Sequence, residues 1–230
     1  MGFDIYGMNP VIKKDSIKPE YPETYPGYPG NYDSDCWLSK EEYEEHVRNW
    51  RHKRENDIEY QDLLNKYYDD LHKYETENTG VYFRANVWYW RPVAEFLYEH
   101  IEVLDDDDLE GLACNSGHVI NETVAKIIGK TIAEMHADGL IEEWVQNKKI
   151  AEVMKPKEDC YLCEGTGVRT DSPMFGNLEP YEKDGIKGLK CNGCDGEGKR
   201  APWSSHYPYD TQKIVDFGKF ASKSGGFQIC

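Results

Sequence analysis

Two octapeptides, Cys160-Tyr-Leu-Cys163-Glu-Gly165-Thr-Gly167 and Cys191-Asn-Gly-Cys194-Asp-Gly196-Glu-Gly198, spell one pattern twice, C-x-x-C-x-G-x-G. Two residues between cysteines let a tight turn aim both sulfurs at one point. The glycines that follow permit backbone conformations in which amides approach the thiolates. Two such knuckles make a closed tetrahedral four-thiolate site for Cys160, Cys163, Cys191 and Cys194, which suits one zinc ion. A redox dithiol is the ordinary reading of a single Cys-x-x-Cys, but duplication with matched glycines argues against it, and an iron–sulfur cluster ranks lower still. Four protein ligands leave no open position, so the expected zinc is structural and activates no water. The Gly- and Pro-rich stretch from Glu164 to Lys190 is too poor in apolar residues to bury a core of its own. Metal coordination is therefore expected to supply the folding free energy of this part of the chain.

The elements that must carry the knuckles can be read on either side of them. Asn121 is placed to cap a helix whose Val124, Ile127, Ile128, Ile132 and Met135 recur at helical spacing, with Gly139 ending it. A further helix is predicted from Leu140 to about Met154. Beyond the knuckles, Asp210 or Thr211 caps a helix bearing Ile214, Val215, Phe217 and Phe220, and Gly225-Gly226 stops it before a short strand at Phe227 to Ile229. Residues 3 to 6 read as a strand, and both chain ends are predicted to pair in one small sheet. Val81 to Arg84 forms another strand. In Asn86-Val-Trp88-Tyr-Trp90-Arg91-Pro92 the two Trp are expected on one side of an extended turn, with Pro92 opening a helix to about Leu104. Asp105 to Asp108 reads as a solvated loop at that helix's end, because a calcium loop needs alternating carboxylates, a central Gly and a terminal Glu.

Between these elements lies different text. From Lys18 to Asp33, Pro19, Pro22, Pro26 and Pro29 alternate with Tyr21, Tyr25, Tyr28 and Tyr32, which favours an extended strap laid over a surface. Ser39 and Glu42 form a capping box opening a helical stretch to about Glu77, in which 19 of 38 residues are charged. Tyr43, Val47, Trp50, Leu64, Tyr68 and Leu71 make a heptad stripe that Arg54, Asp57 and Gln61 interrupt. Either a hairpin broken near Arg54 to Asp57 or one long helix fits; a dimerising coiled coil is the alternative to packing within the chain.

The expected fold is therefore α+β, mainly helical, with a small terminal sheet. Residues 1–17, 78–155 and 201–230 are read as the core domain, 18–77 as the strap and charged helical insertion, and 156–200 as the inserted zinc-knuckle module. Composition narrows the function. Among 230 residues, 43 are acidic and 27 basic, a formal charge of -16, so general nucleic-acid binding is disfavoured. Around the knuckles, eight basic against nine acidic residues from Lys155 to Arg200 give -1 before metal and thiolates, unlike a DNA-reading finger. The start lacks a basic and apolar leader, no stretch approaches the ~20 apolar residues that span a bilayer, and seven cysteines in no disulfide spacing fit a reducing cytoplasm. No metal-binding His pair, phosphate loop or G-x-S-x-G is present.

The knuckle pattern resembles the cysteine-rich zinc domain of DnaJ-type co-chaperones, and the small anti-TRAP regulator is similar in using a pair of such motifs for one zinc. The likeness covers about residues 158 to 200. DnaJ-type domains carry four repeats and two zincs where this chain has two repeats, and its nearest text to His-Pro-Asp is His136-Ala137-Asp138. Stimulation of a chaperone ATPase is thus not implied. A wider framework resembles small, uncharacterised proteins of tailed bacteriophages. It comprises Met-Gly-x-Asp-x-Tyr-Gly, Tyr82-Phe-Arg-x-Asn86-x-Trp88-x-Trp90-Arg-Pro92, Arg169-Thr-Asp171, Pro202-Trp203 and Ser-Gly-Gly-Phe-x-Ile-Cys230. This likeness implies that Pro19 to Glu77 is an insertion and that the setting is an infected host cytoplasm.

On these grounds the chain is expected to be a non-enzymatic, zinc-stabilised adaptor or host-modulating protein that binds another protein. Trp88, Trp90, Arg91, Trp203 and His206, with Asn86, Asn115 and His118, are the candidate recognition residues, since Trp, Tyr and Arg dominate binding hot spots. A core role for the tryptophans is the competing reading. The alternative function is an enzyme acting on a nucleotide or small molecule in a pocket near Trp88, Arg91, Asn115, His118 and His206. Cys114, four residues before His118, would need spatial contact with it to serve as a nucleophile. A structural or virion-associated component is the third reading.

Overall fold

The computed structural model describes residues 2–31, 39–171 and 179–230. Among them nine strands form three sheets. The largest contains β1 (Gly2–Gly7), β2 (Tyr82–Asn86), β3 (Val119–Ile120) and β9 (Phe227–Ile229), in the order β2-β1-β9-β3. Every neighbouring pair is antiparallel, and Ile5 sits opposite Phe83 on one side and Ile229 on the other. Alternation assigns the faces: Phe3 and Ile5 are buried with Phe83 and Ala85, while Asp4, held by the Tyr82 hydroxyl, turns outward beside Arg84. The fold is α+β, as expected, and β1 and β9 are partners. Strand β3 was not anticipated; with two residues it carries too short a pattern to read.

Helices α3 (Val87–His100) and α7 (Thr211–Lys223) bury the inner face of that sheet, and α5 (Glu122–Ala137) and α6 (Leu140–Met154) pack on α7 in the same core. Their contribution is aromatic: Trp90 stacks on Phe3, and Phe217 meets Phe83, Trp90 and Phe227 edge to face. Helices α5 and α7 approach closely at Gly218, where a Cβ would lie 2.4 Å from Ile132 Cγ2. This proximity gives the reason for a glycine inside a helix, where it is otherwise unfavourable by about 1 kcal/mol relative to Ala.

Helix α3 corrects the sequence reading at Trp88 and Trp90. It starts at Val87, capped by the Asn86 side chain, which accepts from the Tyr89 amide at 3.0 Å. Pro92 lies within the helix instead of opening it. There it only deprives the Trp88 carbonyl of a helical donor. Two residues apart on a helix means about 200° of rotation, so the two tryptophans face opposite ways instead of sharing a side. Trp90 is fully buried, its Nε1 donating to the Leu112 carbonyl at 2.7 Å, and this removes it from any recognition surface. The acidic run is a second correction. It is the first turn of α4 (Asp106–Ala113), with Asp105 accepting from the Asp108 amide at 2.9 Å and the following aspartates favourably placed at a helix N-terminus.

The charged stretch forms two helices, α1 (Lys40–Asn56) and α2 (Ile58–Glu77), divided at Asp57, whose carboxylate caps α2 through the Tyr60 amide. Helix α1 buries none of its residues and α2 only Leu64. The strap covers them in antiparallel order: Tyr21 meets Tyr67, Tyr25 meets Tyr60 and Trp50, Tyr28 meets Trp50, and the Gly30 carbonyl accepts from the Tyr43 hydroxyl. Tyr43 and Trp50 of the heptad stripe are thus satisfied within the chain. The base of this excursion is tied by Asn78, which accepts from the Lys13 amide at 2.7 Å and donates to Ser16 Oγ at 2.8 Å. Tyr32, Asp33 and Cys36 lie outside the described residues. No described helix is long and apolar enough to cross a membrane.

Candidate metal centre

Between α6 and α7 the chain forms two small sheets around the knuckles. Strand β4 (Glu158–Asp159) pairs with β8 (Lys199–Arg200), and β5 (Val168–Arg169) with β7 (Ile186–Lys190), which also pairs with β6 (Pro180–Lys183). The strand leading into each knuckle therefore pairs with the strand leaving the other. The backbone repeats itself to match. Glu164 and Asp195 both have φ 50°, Gly165 and Gly196 have 84° and 79°, and Gly167 and Gly198 have 80° and 86°. Cys160 N donates to the Gly198 carbonyl and Cys191 N to the Gly167 carbonyl. Each knuckle's second glycine meets the other knuckle: a Cβ at Gly167 would lie 2.3 Å from the Gly196 oxygen, and one at Gly198 would lie 2.1 Å from the Gly165 oxygen. The C-x-x-C-x-G-x-G spacing thus encodes a two-fold-related pair of turns that only glycine lets close.

Closing that pair brings the four sulfurs together. All lie within 4.8 Å of one another and all four cysteines are buried. Cys160 and Cys191 Sγ are 3.8 Å apart, Cys163 and Cys194 Sγ 3.7 Å. The amides of Gly167 and Gly198 donate to Cys163 and Cys194 Sγ, each at 3.2 Å. Burial pushes the Cys191 thiol up to about 12 and raises that of Cys194. At Cys163 burial acts in the same direction, but the Gly167 amide and the neighbouring sulfurs outweigh it and lower the thiol. Such a buried, donor-supported thiol set can hold one metal ion.

The remaining candidate residues do not share one place. Trp88, Trp203 and His206 come together: Trp88 packs on Trp203 and Tyr207 with ring centroids 5.0 and 5.7 Å apart, and His206 lies 6.2 Å from Trp203. Asn115 and His118 are elsewhere. Asn115 donates to the Gly2 carbonyl at 2.7 Å, and His118 Nε2 is 2.8 Å from Asp108 Oδ1. Asn86 is occupied as a helix cap. Sequence reasoning missed Tyr161 and Arg200, which the β4–β8 pairing brings to the same surface. The Arg200 guanidinium lies 4.2 Å over the Tyr161 ring and 5.7 Å from the Trp203 ring, with Tyr161 63% and Trp203 53% exposed. The one hint was position: Tyr161 stands inside the first knuckle motif and Arg200 two residues past the second.

Beside that surface opens a cavity of about 380 Å³ at the root of the knuckles, lined by Arg91, Tyr98, Lys155, Ser204, Tyr207 and Tyr209 among others. Of the five residues expected to share a pocket, Arg91 lines this one. Its wall holds a buried carboxylate: Glu152 accepts from Lys155 Nζ at 2.5 Å and from Ser204 Oγ at 2.8 Å. Burial would raise the Glu152 carboxyl, but these donors prevail and hold it below the usual range. Behind it, Tyr209 donates to Glu95 at 2.8 Å; burial and that carboxylate together raise its phenol far above the ordinary value. Lys148 bridges Glu95 and Glu99 at 2.8 and 2.6 Å. No family model, curated protein or solved structure matches this chain.

Proposed function

We propose that this chain is a zinc-stabilised, non-enzymatic protein that binds another protein through the aromatic and arginine surface beside its metal centre. Zinc is favoured by the geometry: tetrahedral thiolates at about 2.3 Å from one ion stand about 3.8 Å apart, and the two cross-knuckle sulfur pairs stand at 3.8 and 3.7 Å. When bound, the ion cross-links the two turns. Tyr161, Arg200, Trp203, Trp88 and Tyr207 form the face that the turns present.

The single observation carrying the binding role is the exposure of Tyr161 and Trp203 on either side of the Arg200 guanidinium. Large rings beside a cation are the side chains that dominate interface energetics, and Tyr161 and Trp203 stand outside the core cluster that Tyr207 packs against. The tailed-phage likeness of the sequence framework suggests a bacterial host component as the partner. The test is affinity capture from bacterial lysate with wild type and a Tyr161→Ala/Trp203→Ala variant, followed by titration of the purified partner. A stoichiometric partner that the variant binds at least tenfold more weakly supports the reading. A partner retained undiminished by a folded variant, or none in either sample, refutes it.

A further inference from the structure

The cavity at the root of the knuckles carries a cation that its neighbours leave unpaired and that the proposed protein-binding role does not use. Its two lining carboxylates are already engaged, Glu152 by Lys155 and Ser204, and Glu95 by Lys148 and Tyr209. Lys155 in turn is committed to Glu152 and Ser204. The Arg91 side chain makes no hydrogen bond, ion pair or ring contact with any described residue. Exposed and without a carboxylate partner among the described residues, this guanidinium on the wall of a concave site can anchor an external anion.

The rest of the lining sets the kind of anion. Ala94, Leu109, Leu112 and Ala113 supply an apolar surface, and the rings of Tyr98 and Tyr207 supply broad walls. A volume of about 380 Å³ lies at the small end of ligand sites. One cation unpaired among the described residues, beside two paired carboxylates, favours a single negative charge; a phosphate dianion would set its second charge against Glu95, Glu152 and the net charge of -16. The planar fork of arginine matches a carboxylate through two parallel hydrogen bonds.

We infer that this cavity binds a monocarboxylate with an apolar or aromatic body, its carboxylate on Arg91 and its body on the Leu109, Leu112 and Tyr98 surface. The same chemistry is offered by a free organic acid and by the carboxy-terminal residue of a peptide. Ser204 and Tyr207 belong both to the cavity lining and to the segment carrying Trp203, so occupancy is felt at the aromatic face beside the metal centre.

The test uses the full metal-loaded chain and two matched probe pairs, N-acetylphenylalanine against its amide, and a heptapeptide ending in phenylalanine with a free or amidated terminus. Binding is followed by calorimetry and by amide shifts at Ser204 and Tyr207. Any acid that binds should do so at least tenfold more tightly than its amide, and Arg91→Gln should remove that preference while leaving the fold's amide spectrum intact. Binding of the small acid alone assigns a free organic acid; binding of the peptide acid as well assigns a chain terminus. Equal binding of acid and amide, an unchanged preference in Arg91→Gln, inorganic phosphate matching the acid, or no shift with any probe would each overturn the inference.

Discussion

Replacing Gly198 by alanine tests whether the metal centre depends on closure of the two knuckles. The substitution imposes two separable costs. Gly198 has φ 86°, and placing a side chain in the left-handed region costs roughly 1–2 kcal/mol. The new Cβ would also lie 2.1 Å from the Gly165 carbonyl oxygen, more than 1 Å short of an ordinary C···O contact of about 3.3 Å. Both atoms belong to backbone, so relief requires the knuckles to part, at a further cost of about 1–3 kcal/mol. Where the ion cross-links the two turns as proposed, metal binding and local folding form one equilibrium, and the sum of roughly 2–5 kcal/mol should weaken the metal by about 30-fold or more. Gly185→Ala is the matched control: it shares φ 80° in the turn between β6 and β7, but its Cβ meets nothing within 4 Å. Competition against a chromophoric chelator should place Gly198→Ala at least about fivefold weaker than Gly185→Ala, the share due to the clash alone. Gly167→Ala should resemble Gly198→Ala, since it meets the Gly196 oxygen at 2.3 Å. Equal affinities for Gly198→Ala and Gly185→Ala would refute the argument, because they would mean the inter-knuckle approach contributes nothing.

Trp90→Ala should destabilise the folded chain by about 3–5 kcal/mol in urea unfolding, whereas Trp88→Ala, on the outer face of α3, should cost about 1 kcal/mol or less; similar losses would contradict the assigned faces. The His100 ring packs on Phe96 and Trp144 with Nε2 buried and unpartnered among the described residues. Burial holds its pKa below the ordinary value, opposed by Glu99 and aided by Lys148. The unfolded state then binds the proton more readily, so stability falls as pH drops through about 6.5, and His100→Gln should flatten that slope between pH 7 and 5. An unchanged slope would remove the ring from the account. Chelation at neutral pH should expose new protease sites within residues 156–200 while α5 and α7 stay protected; cuts in those helices would show that the aromatic core needs the metal. Since burial raises the thiols of Cys191, to about 12, and Cys194, metal affinity should decrease from pH 8 to pH 6 as protons compete for sulfur.

The knuckles were legible because their information is local: eight consecutive residues specify turn, glycine conformation and sulfur direction, and the repeat declares the partner. Helices α5, α6 and α7 were legible for a related reason, their apolar spacing and caps lying within single segments. Trp88 and Trp90 were misread because Pro92 was given the first helical position, whereas Asn86 supplies the cap and the helix accommodates the proline inside. The Asp105 to Asp108 run was read by charge alone, although one aspartate caps and the others suit a helix N-terminus. What no local pattern contains is pairing between distant segments. Glu158 opposite Arg200 sets Arg200 over Tyr161, and Lys155 with Ser204 joins Glu152, only after the chain has returned from the knuckles.

The central strand β1 has consequences for the route of folding. Ile5 is complete only when Phe83 and Ile229 flank it, and the ring cluster around Trp90 needs Phe217 and Phe220 of α7. On a ribosome this nucleus therefore cannot close until residue 229 has been made, and contacts of such sequence separation make for slow folding. Two local ties shorten the search. Asn78 fastens to Lys13 and Ser16, and Lys155 to Ser204, so each intervening excursion begins and ends at one hydrogen-bonded point. Once these loops have closed, the entropy of bringing the outer strands together is set by a much shorter effective chain. The hydrogen bonds that close the cysteine turns all lie within residues 158–200, so their closure need not wait for a body whose own contacts form late.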